Sequence, residues 1–247
     1  MKVSLIPMDI VWGNPRRNIA QAELLIRQAG VSDLYVLPEM WATGFATKPE
    51  GIVEDEERSE ALKWMRDFAA ANQAAVSGSL AVRISDGTYR NRHYFVTPGD
   101  VVFYDKHHLF TYGHEDRYFT AGHHAVIAQW QGMRFLLQTC YDLRFPVFSR
   151  YGVAGLYDAI IYVANWPASR RTAWDTLIRA RAIENQCYVV AVNRVGSDPV
   201  THYDGVSAIV NPLGNTAAGL SAELSLEELR LMRDRFRVLD DRDQLKL

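Results

Sequence analysis

The sequence predicts an α/β domain built on a mixed β-sheet. Short apolar runs alternate along the chain with segments whose apolar residues recur every three to four positions, the pattern of strands and amphipathic helices. Pro98-Gly99-Asp100 separates two apolar runs at hairpin spacing, which indicates an antiparallel pair. Ala159 to Ala164 (AIIYVA) is apolar throughout, as expected for a strand that is covered on both faces.

The N-terminal half begins with a strand and a clearly bounded helix. Val3 to Pro7 is apolar and predicts the strand, whereas Asn14 suits a helix N-cap, Pro15 the first helical position and Gly30 the position past its end. The acidic cluster Glu54 to Glu57 is interpreted as a solvated loop leading into a helix. Later runs predict strands at Leu34 to Leu37, Ala74 to Ala81, His93 to Thr97 and Val101 to Tyr104, and the stripe of Leu62, Met65 and Ala69 predicts a helix over Ser59 to Ala71.

The C-terminal half continues the alternation without a linker, a repeat or a low-complexity tract. Gln131-Gly132 and Pro212 to Asn215 are predicted turns. Strands are predicted at Val126 to Trp130, Met133 to Thr139, Asp158 to Ala164, Tyr188 to Val192 and Val206 to Val210, and helices at Arg170 to Gln186 and Leu226 to Arg235. We therefore expect one domain over residues 1–247.

Composition excludes several classes of protein. With 27 Lys and Arg against 29 Asp and Glu, the net charge of −2 argues against a nucleic-acid partner, which would usually select a basic surface. No apolar run approaches the roughly 18 residues of a membrane span, and the N-terminus carries no signal-peptide pattern. Two cysteines are too few for a disulfide scaffold, and they indicate a reducing, cytoplasmic location.

Polar or reactive residues follow several of the predicted strands. They are Glu39, Lys106, Cys140, Asn165 and Asn193. In open α/β sheets, ligands bind outside the carboxyl ends of the strands, so residues far apart in sequence can meet there in one cleft.

Cys140 is the candidate nucleophile. It lies between the strand FLLQT and the segment YDLRFP, where its side chain can face a cleft and free backbone N–H groups can bind an oxyanion. A free thiol has a pKa of about 8.5, so its reaction needs a base or a positive field. The alternative is a buried, small apolar residue, which is our interpretation of Cys187.

Glu39 and Lys106 are the candidate base and cation. Glu39 lies among Pro38, Met40 and Trp41, an apolar setting that suits acid–base chemistry, and Lys106 could stabilise an oxyanion. Taken alone, each is also typical of an ordinary surface residue at a strand end.

The segment from Lys106 to His124 contains five of the seven histidines. Their spacing matches no known set of metal ligands, so we expect side chains that support a loop and no metal site. Glu115, in the same segment, could orient Lys106. Arg144 could bind a substrate carboxylate with both arms of its guanidinium, or it could pair with Asp142.

Together, these motifs resemble one known family. Glu39 in VLPEMWATGF, Lys106 in YDKHHLF and Cys140 in CYDLRFP resemble the Glu–Lys–Cys triad of the nitrilase (carbon–nitrogen hydrolase) superfamily. GHEDRYFTAG, YVANWPASR, RARAIENQCYVVAVNRVGSD and IVNPLGN extend the resemblance over nearly the whole chain. CYDLRFPVFSR and YVANWPASRR are most similar to the bacterial ω-amidases of this superfamily.

The resemblance implies a single-domain, four-layer α-β-β-α sandwich that assembles as a homodimer through a helical face. It also implies amide hydrolysis with no metal and no organic cofactor. Glu39 would be the general base and Cys140 the nucleophile, while the Lys106 ammonium and the Tyr141 backbone N–H would bind the oxyanion. Glu115 would position Lys106 and the substrate.

The implied substrate is a short 2-oxo acid with a terminal amide, such as 2-oxoglutaramate or 2-oxosuccinamate. Arg144 would bind its distal carboxylate, and Asn165, Trp166 and Phe45 would contact it as the pocket wall. The alternatives are another amidase or N-carbamoyl hydrolase of the same superfamily, a catalytically silent interaction module and a metal-dependent hydrolase.

Overall fold

Two mixed β-sheets packed face to face form the centre of the molecule. The computed structural model describes residues 1–244, so the end of the domain predicted over residues 1–247 lies outside the described residues. In chain order the strands are β1 (Lys2–Leu5), β2 (Leu34–Val36), β3 (Glu54–Asp55), β4 (Ala75–Arg83), β5 (Tyr89–Val96), β6 (Val101–Asp105), β7 (Ile127–Trp130), β8 (Met133–Thr139), β9 (Ala159–Ala164), β10 (Tyr188–Asn193), β11 (Val195–Ser197), β12 (His202–Asp204), β13 (Ala208–Val210) and β14 (Ser221–Glu223). The helices are α1 (Pro15–Ala29), α2 (Glu60–Asn72), α3 (Pro146–Ser149), α4 (Arg171–Glu184) and α5 (Leu226–Arg235).

The first sheet has the order β14-β1-β2-β4-β5-β6, with β3 paired to β4, and the second has the order β13-β10-β9-β8-β7. Parallel pairs connect β1 to β2 and β2 to β4, and likewise β8 to β9 and β9 to β10. The predicted hairpin of β5 and β6 is antiparallel, as is that of β7 and β8. The periodicity predicted one mixed sheet. The structure corrects this to two packed sheets and a separate antiparallel pair, β11 and β12, because the strand pattern does not encode which sheet a strand joins.

Successive side chains of each strand point to opposite faces of its sheet, and this alternation produces the layers. Val3 and Leu5 of β1 face the core between the sheets, where they meet Ile161 and Val163 of β9. Residues of opposite parity face outward, and so Ile160 packs beneath α4. On the other side, α1 and α2 cover the first sheet through apolar stripes that include Ala22, Ile26, Leu62 and Met65. The four-layer α-β-β-α sandwich is confirmed.

The helix boundaries follow the capping signals. The Asn14 side chain accepts a hydrogen bond from the Arg17 N–H at 3.1 Å, and Gly30 has a left-handed φ of 76° just past the end of α1. Ser59 is the N-cap of α2 rather than its first residue, since its hydroxyl accepts from the Leu62 N–H at 3.2 Å. The helix predicted from Arg170 to Gln186 is shorter, from Arg171 to Glu184.

Some elements escaped the prediction. The strands β3, β11, β12 and β14 are only two or three residues long, too short to show a periodicity. The cluster predicted as a solvated loop contains β3 and a 3₁₀ turn, in which Glu56 pairs with the buried Arg92 at 2.7 Å. Strand β5 begins at Tyr89, earlier than expected, because its polar residues are satisfied inside the protein. Within residues 1–244, no helix is long and apolar enough to cross a membrane.

Candidate active site

The strand ends of the two sheets converge on one site. Glu39 follows β2, Lys106 follows β6, Cys140 follows β8 and Asn165 follows β9, and the contacts below connect them. Asn193, at the end of β10, accepts a hydrogen bond from the Trp166 N–H at 2.7 Å and donates to the Trp166 carbonyl at 2.9 Å. The structure therefore brings together the residues that the topological argument placed at one edge.

Lys106 lies between two carboxylates. Its Nζ donates to Glu39 Oε1 and to Glu115 Oε2, each at 2.8 Å, and all three side chains are fully buried. Glu115 also accepts a hydrogen bond from the Phe110 N–H at 2.7 Å, which fixes the loop carrying it. An ammonium has three hydrogens, so one remains for a further acceptor.

Burial and charge act in opposite directions on this cluster. Burial disfavours the ammonium of Lys106, but the negative charges of Glu115 and Glu39 raise its pKa above the ordinary value. Burial raises the pKa of Glu115. The positive charge of Lys106 lowers that pKa, whereas the negative charge of Glu39 raises it further. The cluster thus combines the ammonium of Lys106, which stays protonated, with two carboxylates that both bind it.

Glu39 is held on three sides. Its Oε1 accepts a hydrogen bond from Asn91 Nδ2 at 2.8 Å, in addition to that from Lys106. Asn165 binds it twice: the backbone N–H donates to Glu39 Oε2 at 3.0 Å and Nδ2 donates to the Glu39 carbonyl at 2.8 Å. The amide nitrogen of Asn165 is therefore occupied by Glu39; its Oδ1 is buried without a hydrogen-bond partner in the described structure.

Cys140 occupies a strained junction between β8 and a 3₁₀ turn, Cys140–Arg144. Its φ of 46° is left-handed, which is uncommon for a residue other than glycine. Asp142 secures the turn by accepting hydrogen bonds from the Thr139 N–H at 2.9 Å and the Tyr104 hydroxyl at 2.8 Å. The first N–H groups of such a turn, including that of Tyr141, have no acceptor within it and can bind an anion.

The surroundings of the Cys140 thiol favour its neutral form. Burial raises its pKa well above the ordinary value, and the negative charge of Glu39 raises it further, whereas Lys106 counteracts the rise. A neutral thiol beside a carboxylate needs that carboxylate as its base. Cys187, in contrast, is buried in the core between the second sheet and α4.

A cavity of about 730 Å³ opens above Cys140. Phe45, Tyr141, Asn165 and Trp166 line it, as the sequence predicted for contacts with a substrate. Arg144 is also on this wall, with its guanidinium carbon 4.8 Å from the centre of the Trp166 ring. Within residues 1–244 Arg144 makes no ion pair, and the alternative pairing with Asp142 is therefore not observed.

Two of the five histidines, His107 and His108, support the loop that follows β6. His108 Nδ1 lies 2.8 Å from Asp142 Oδ1 and its ring stacks on Phe145, and His107 Nδ1 lies 2.7 Å from the Gly122 carbonyl oxygen. Across the described chain, no group of three or more His, Cys, Asp or Glu side chains is arranged to hold a metal ion. The absence of a metal or cofactor stays a prediction.

Sequence reasoning missed two kinds of site residue. Asn91 lies in the polar stretch YRNR, which shows no strand pattern, and only its contacts with Glu39 and Glu115 reveal its place. Arg170 and the hairpin of β11 and β12 line the outer cavity. The guanidinium carbon of Arg170 lies 5.5 Å from the centre of the Phe110 ring. The adjacent NWP motif was the one signal that could have drawn attention to Arg170.

Comparisons with known proteins agree with this geometry. A sequence profile described as Carbon-nitrogen hydrolase matches residues 2–227. The chain is 41% identical to omega-amidase YafV of Yersinia enterocolitica over 257 residues, which cover 100% of this chain and 98% of that protein. It is 33% identical to 2-oxoglutaramate amidase of Bacillus subtilis, covering 97% and 96% of the two chains.

A solved structure is similar over the same length. XC1258 from Xanthomonas campestris, a CN-hydrolase superfamily protein with an arsenic adduct in the active site, is 38% identical with a TM-score of 0.94, covering 100% of this chain and 98% of that one. The resemblance drawn from the motifs is confirmed. This chain belongs to the carbon–nitrogen hydrolase family and is a hydrolase that acts on amides.

Proposed function

We propose that the protein is an ω-amidase that hydrolyses the terminal amide of short 2-oxo acid amides, 2-oxoglutaramate and 2-oxosuccinamate. The products are the 2-oxo dicarboxylate and ammonia. The observation that carries the proposal is the buried arrangement of Lys106, Glu39 and Glu115 beside Cys140 at the floor of the cavity. The ω-amidase and the 2-oxoglutaramate amidase among the relatives support the substrate class.

In the first half-reaction, Glu39 accepts the thiol proton and the Cys140 sulfur attacks the amide carbon. The oxyanion receives hydrogen bonds from the third N–H of Lys106 and from the Tyr141 backbone N–H. Glu39 then gives its proton to the departing nitrogen, the C–N bond breaks and ammonia leaves behind a thioester.

In the second half-reaction, Glu39 accepts a proton from water and the resulting hydroxide attacks the thioester carbon. The C–S bond breaks, the proton returns from Glu39 to the sulfur, and the carboxylic acid leaves and gives its own proton to solvent. Glu115 holds Lys106 in place throughout, because its fully buried carboxylate binds the ammonium at 2.8 Å.

The outer cavity suits an anionic acyl chain. Arg144 is a cation without an acidic partner in the described structure, and its stacking on Trp166 restricts where the guanidinium points. It can bind the distal carboxylate of the substrate with two hydrogen bonds. Phe45, Asn165 and Trp166, which line the cavity, complete the proposed contacts with the substrate.

The proposal extends to assembly and location. A single domain over residues 1–247, pairing as a homodimer in the cytoplasm, is what the motifs imply. A cytoplasmic location fits the chemistry, because the cysteine nucleophile must remain a reduced, free thiol.

A substrate panel tests the function. Ammonia release is measured with 2-oxoglutaramate, 2-oxosuccinamate, glutamine, asparagine, simple aliphatic amides, nitriles and N-carbamoyl amino acids. We expect the two 2-oxo acid amides to have the highest kcat/KM. A higher value for an N-carbamoyl amino acid or for a simple amide would assign the protein to another branch of the family.

Replacing the two cysteines separately tests the mechanism. Cys140→Ala should abolish ammonia release in a protein that remains folded, and denaturing mass spectrometry of the wild type during turnover should detect the acyl adduct on the peptide containing Cys140. Cys187→Ala is the matched control: it removes a buried thiol from the core and should keep kcat. Turnover by Cys140→Ala would refute the mechanism.

A further inference from the structure

Asn91 joins the two carboxylates of the site from behind. It lies on β5, its side chain is buried, and Nδ2 donates to Glu39 Oε1 at 2.8 Å and to Glu115 Oε1 at 2.9 Å. An amide nitrogen carries two hydrogens, and here each is donated to a different carboxylate. Lys106 bridges the same two residues, so each carboxylate contacts both donors.

The orientation of the Asn91 amide is determined by its neighbours. Its Oδ1 is 2.9 Å from Ser79 Oγ, which accepts a hydrogen bond from the Met40 N–H at 2.8 Å. The hydroxyl hydrogen of Ser79 is therefore free to go to Asn91. The reversed amide would place its oxygen against two carboxylates, which is electrostatically unfavourable. In addition, the backbone N–H of Lys106 donates to the backbone carbonyl of Asn91 at 2.9 Å, which connects the end of β6 to β5.

This arrangement distinguishes the two oxygens of Glu39. Oε1 accepts from both Asn91 and Lys106, whereas Oε2 accepts only from the Asn165 N–H within the described part of the chain. Oε2 is thus the oxygen with capacity left for a proton from Cys140.

Asn91 also moderates the repulsion within the cluster. Glu39 and Glu115 share one cation, and burial together with the charge of Glu39 raises the pKa of Glu115. A neutral donor that binds both carboxylates favours their ionised forms and adds no charge of its own. A second cation would cancel the remaining negative charge of the cluster, and an apolar residue would leave each carboxylate one hydrogen bond short.

We propose that Asn91 is a positioning residue of this site, whose two amide hydrogens hold Glu39 and Glu115 in place around Lys106 so that Glu39 Oε2 receives the proton of Cys140. The inference rests on the function proposed above. Asn91 is buried and both of its amide hydrogens are donated to carboxylates, so it acts through Glu39 and Glu115, not on the substrate.

Alkylation of Cys140 by iodoacetamide provides a readout that needs no amide substrate. In this step the thiol proton passes to Glu39, the sulfur bonds to the acetamide carbon and iodide leaves. The rate is measured against pH by peptide mass spectrometry for the wild type, for Asn91→Ala and for Asn185→Ala. Asn185 is the matched control, because it is a buried asparagine whose side chain binds Arg181 and Tyr151, outside the site.

We expect the acid limb of the Asn91→Ala profile to lie about one pH unit higher than in the wild type and in Asn185→Ala, because the carboxylates lose a donor that favours their charged form. Amide turnover by Asn91→Ala should lose roughly tenfold to a hundredfold in kcat, with KM within about twofold. Asn91→Ser, which is too short to bridge the carboxylates, is the second variant if Asn91→Ala does not fold.

Coincident pH profiles for the folded Asn91 variant and the Asn185 control would overturn the inference, as would a raised KM with an unchanged kcat. A wild type that is alkylated normally but hydrolyses no 2-oxo acid amide would refute the proposed function instead, and the alkylation profiles would still test Asn91.

Discussion

Lys106→Met is the substitution whose effect follows most directly from the buried charges. Methionine replaces the lysine stem with an apolar side chain of similar length and removes the ammonium. Glu39 and Glu115 then remain fully buried with no cation between them. We expect an inactive protein with a stability defect that depends on pH.

The size of the defect can be worked out from the contacts. At 2.8 Å and an effective dielectric constant of about 20, each ion pair attracts by about 6 kcal/mol. Much of this offsets the desolvation of the buried ions, so the cost of removing one partner is about 3–5 kcal/mol. The uptake of one proton by the carboxylate pair limits this cost, and at pH 7 that uptake costs about 4 kcal/mol for a glutamate with an unfolded pKa of about 4.3.

The pH dependence has a definite sign. In the variant, the folded-state pKa of one carboxyl lies above its unfolded value, so the folded state binds more protons and loses stability as the pH rises through that window. At pH 5 the protonation of the same glutamate costs only about 1 kcal/mol. The defect should therefore shrink by about 3 kcal/mol between pH 7 and pH 5.

Urea unfolding at equal ionic strength and protein concentration measures the defect at pH 5, 6 and 7. Lys63→Met is the matched control, because Lys63 pairs with Asp67 at the surface and should change stability by less than about 0.5 kcal/mol at each pH. A Lys106→Met defect that is equal at pH 5 and pH 7, or smaller than about 1 kcal/mol at pH 7, would refute the charge assignment.

Three further predictions address the pocket, the nucleophile turn and metal dependence. Arg144→Ala should raise KM for 2-oxo acid amides about tenfold and leave neutral amides unaffected; equal effects in steady-state kinetics on both would remove Arg144 from carboxylate binding. Asp142→Ala should cost about 2–4 kcal/mol in urea unfolding, because it leaves buried donors of Thr139 and Tyr104 without an acceptor, and a loss below about 1 kcal/mol would contradict this. Overnight dialysis against EDTA should leave the turnover rate unchanged, whereas inhibition that a divalent metal reverses would indicate a metal-dependent reaction.

Local signals were sufficient for the regular elements. Asn14 and Gly30 lie at the helix ends where capping chemistry predicts them, and the apolar runs became β1, β2, β8, β9 and β10 within a few residues. The same signals indicated Glu39, Lys106 and Cys140, because each directly follows an apolar strand. The motif resemblance then supplied the family and the four layers.

Local sequence signals did not predict which strands pair or which polar side chains are buried. The pattern of β5 breaks at Arg92 and Asn91, since those side chains are satisfied by partners distant in sequence, Asp105 and Glu39 among them. Asn165 stays a predicted substrate contact, and no local signal indicated that its amide nitrogen also binds the Glu39 carbonyl.

Composition and periodicity thus determined which segments are strands and helices, because capping and amphipathic burial act over a few residues. The motifs, read in order, identified an amidase of the carbon–nitrogen hydrolase family. Only the tertiary structure decided which strands pair within each sheet, that one ammonium serves two carboxylates and that Asn91 bridges them. The reason is physical: a hydrogen bond between buried polar groups depends on the distance between atoms in the folded chain, and the fold brings together Glu39 and Asn165, which lie 126 positions apart in the sequence.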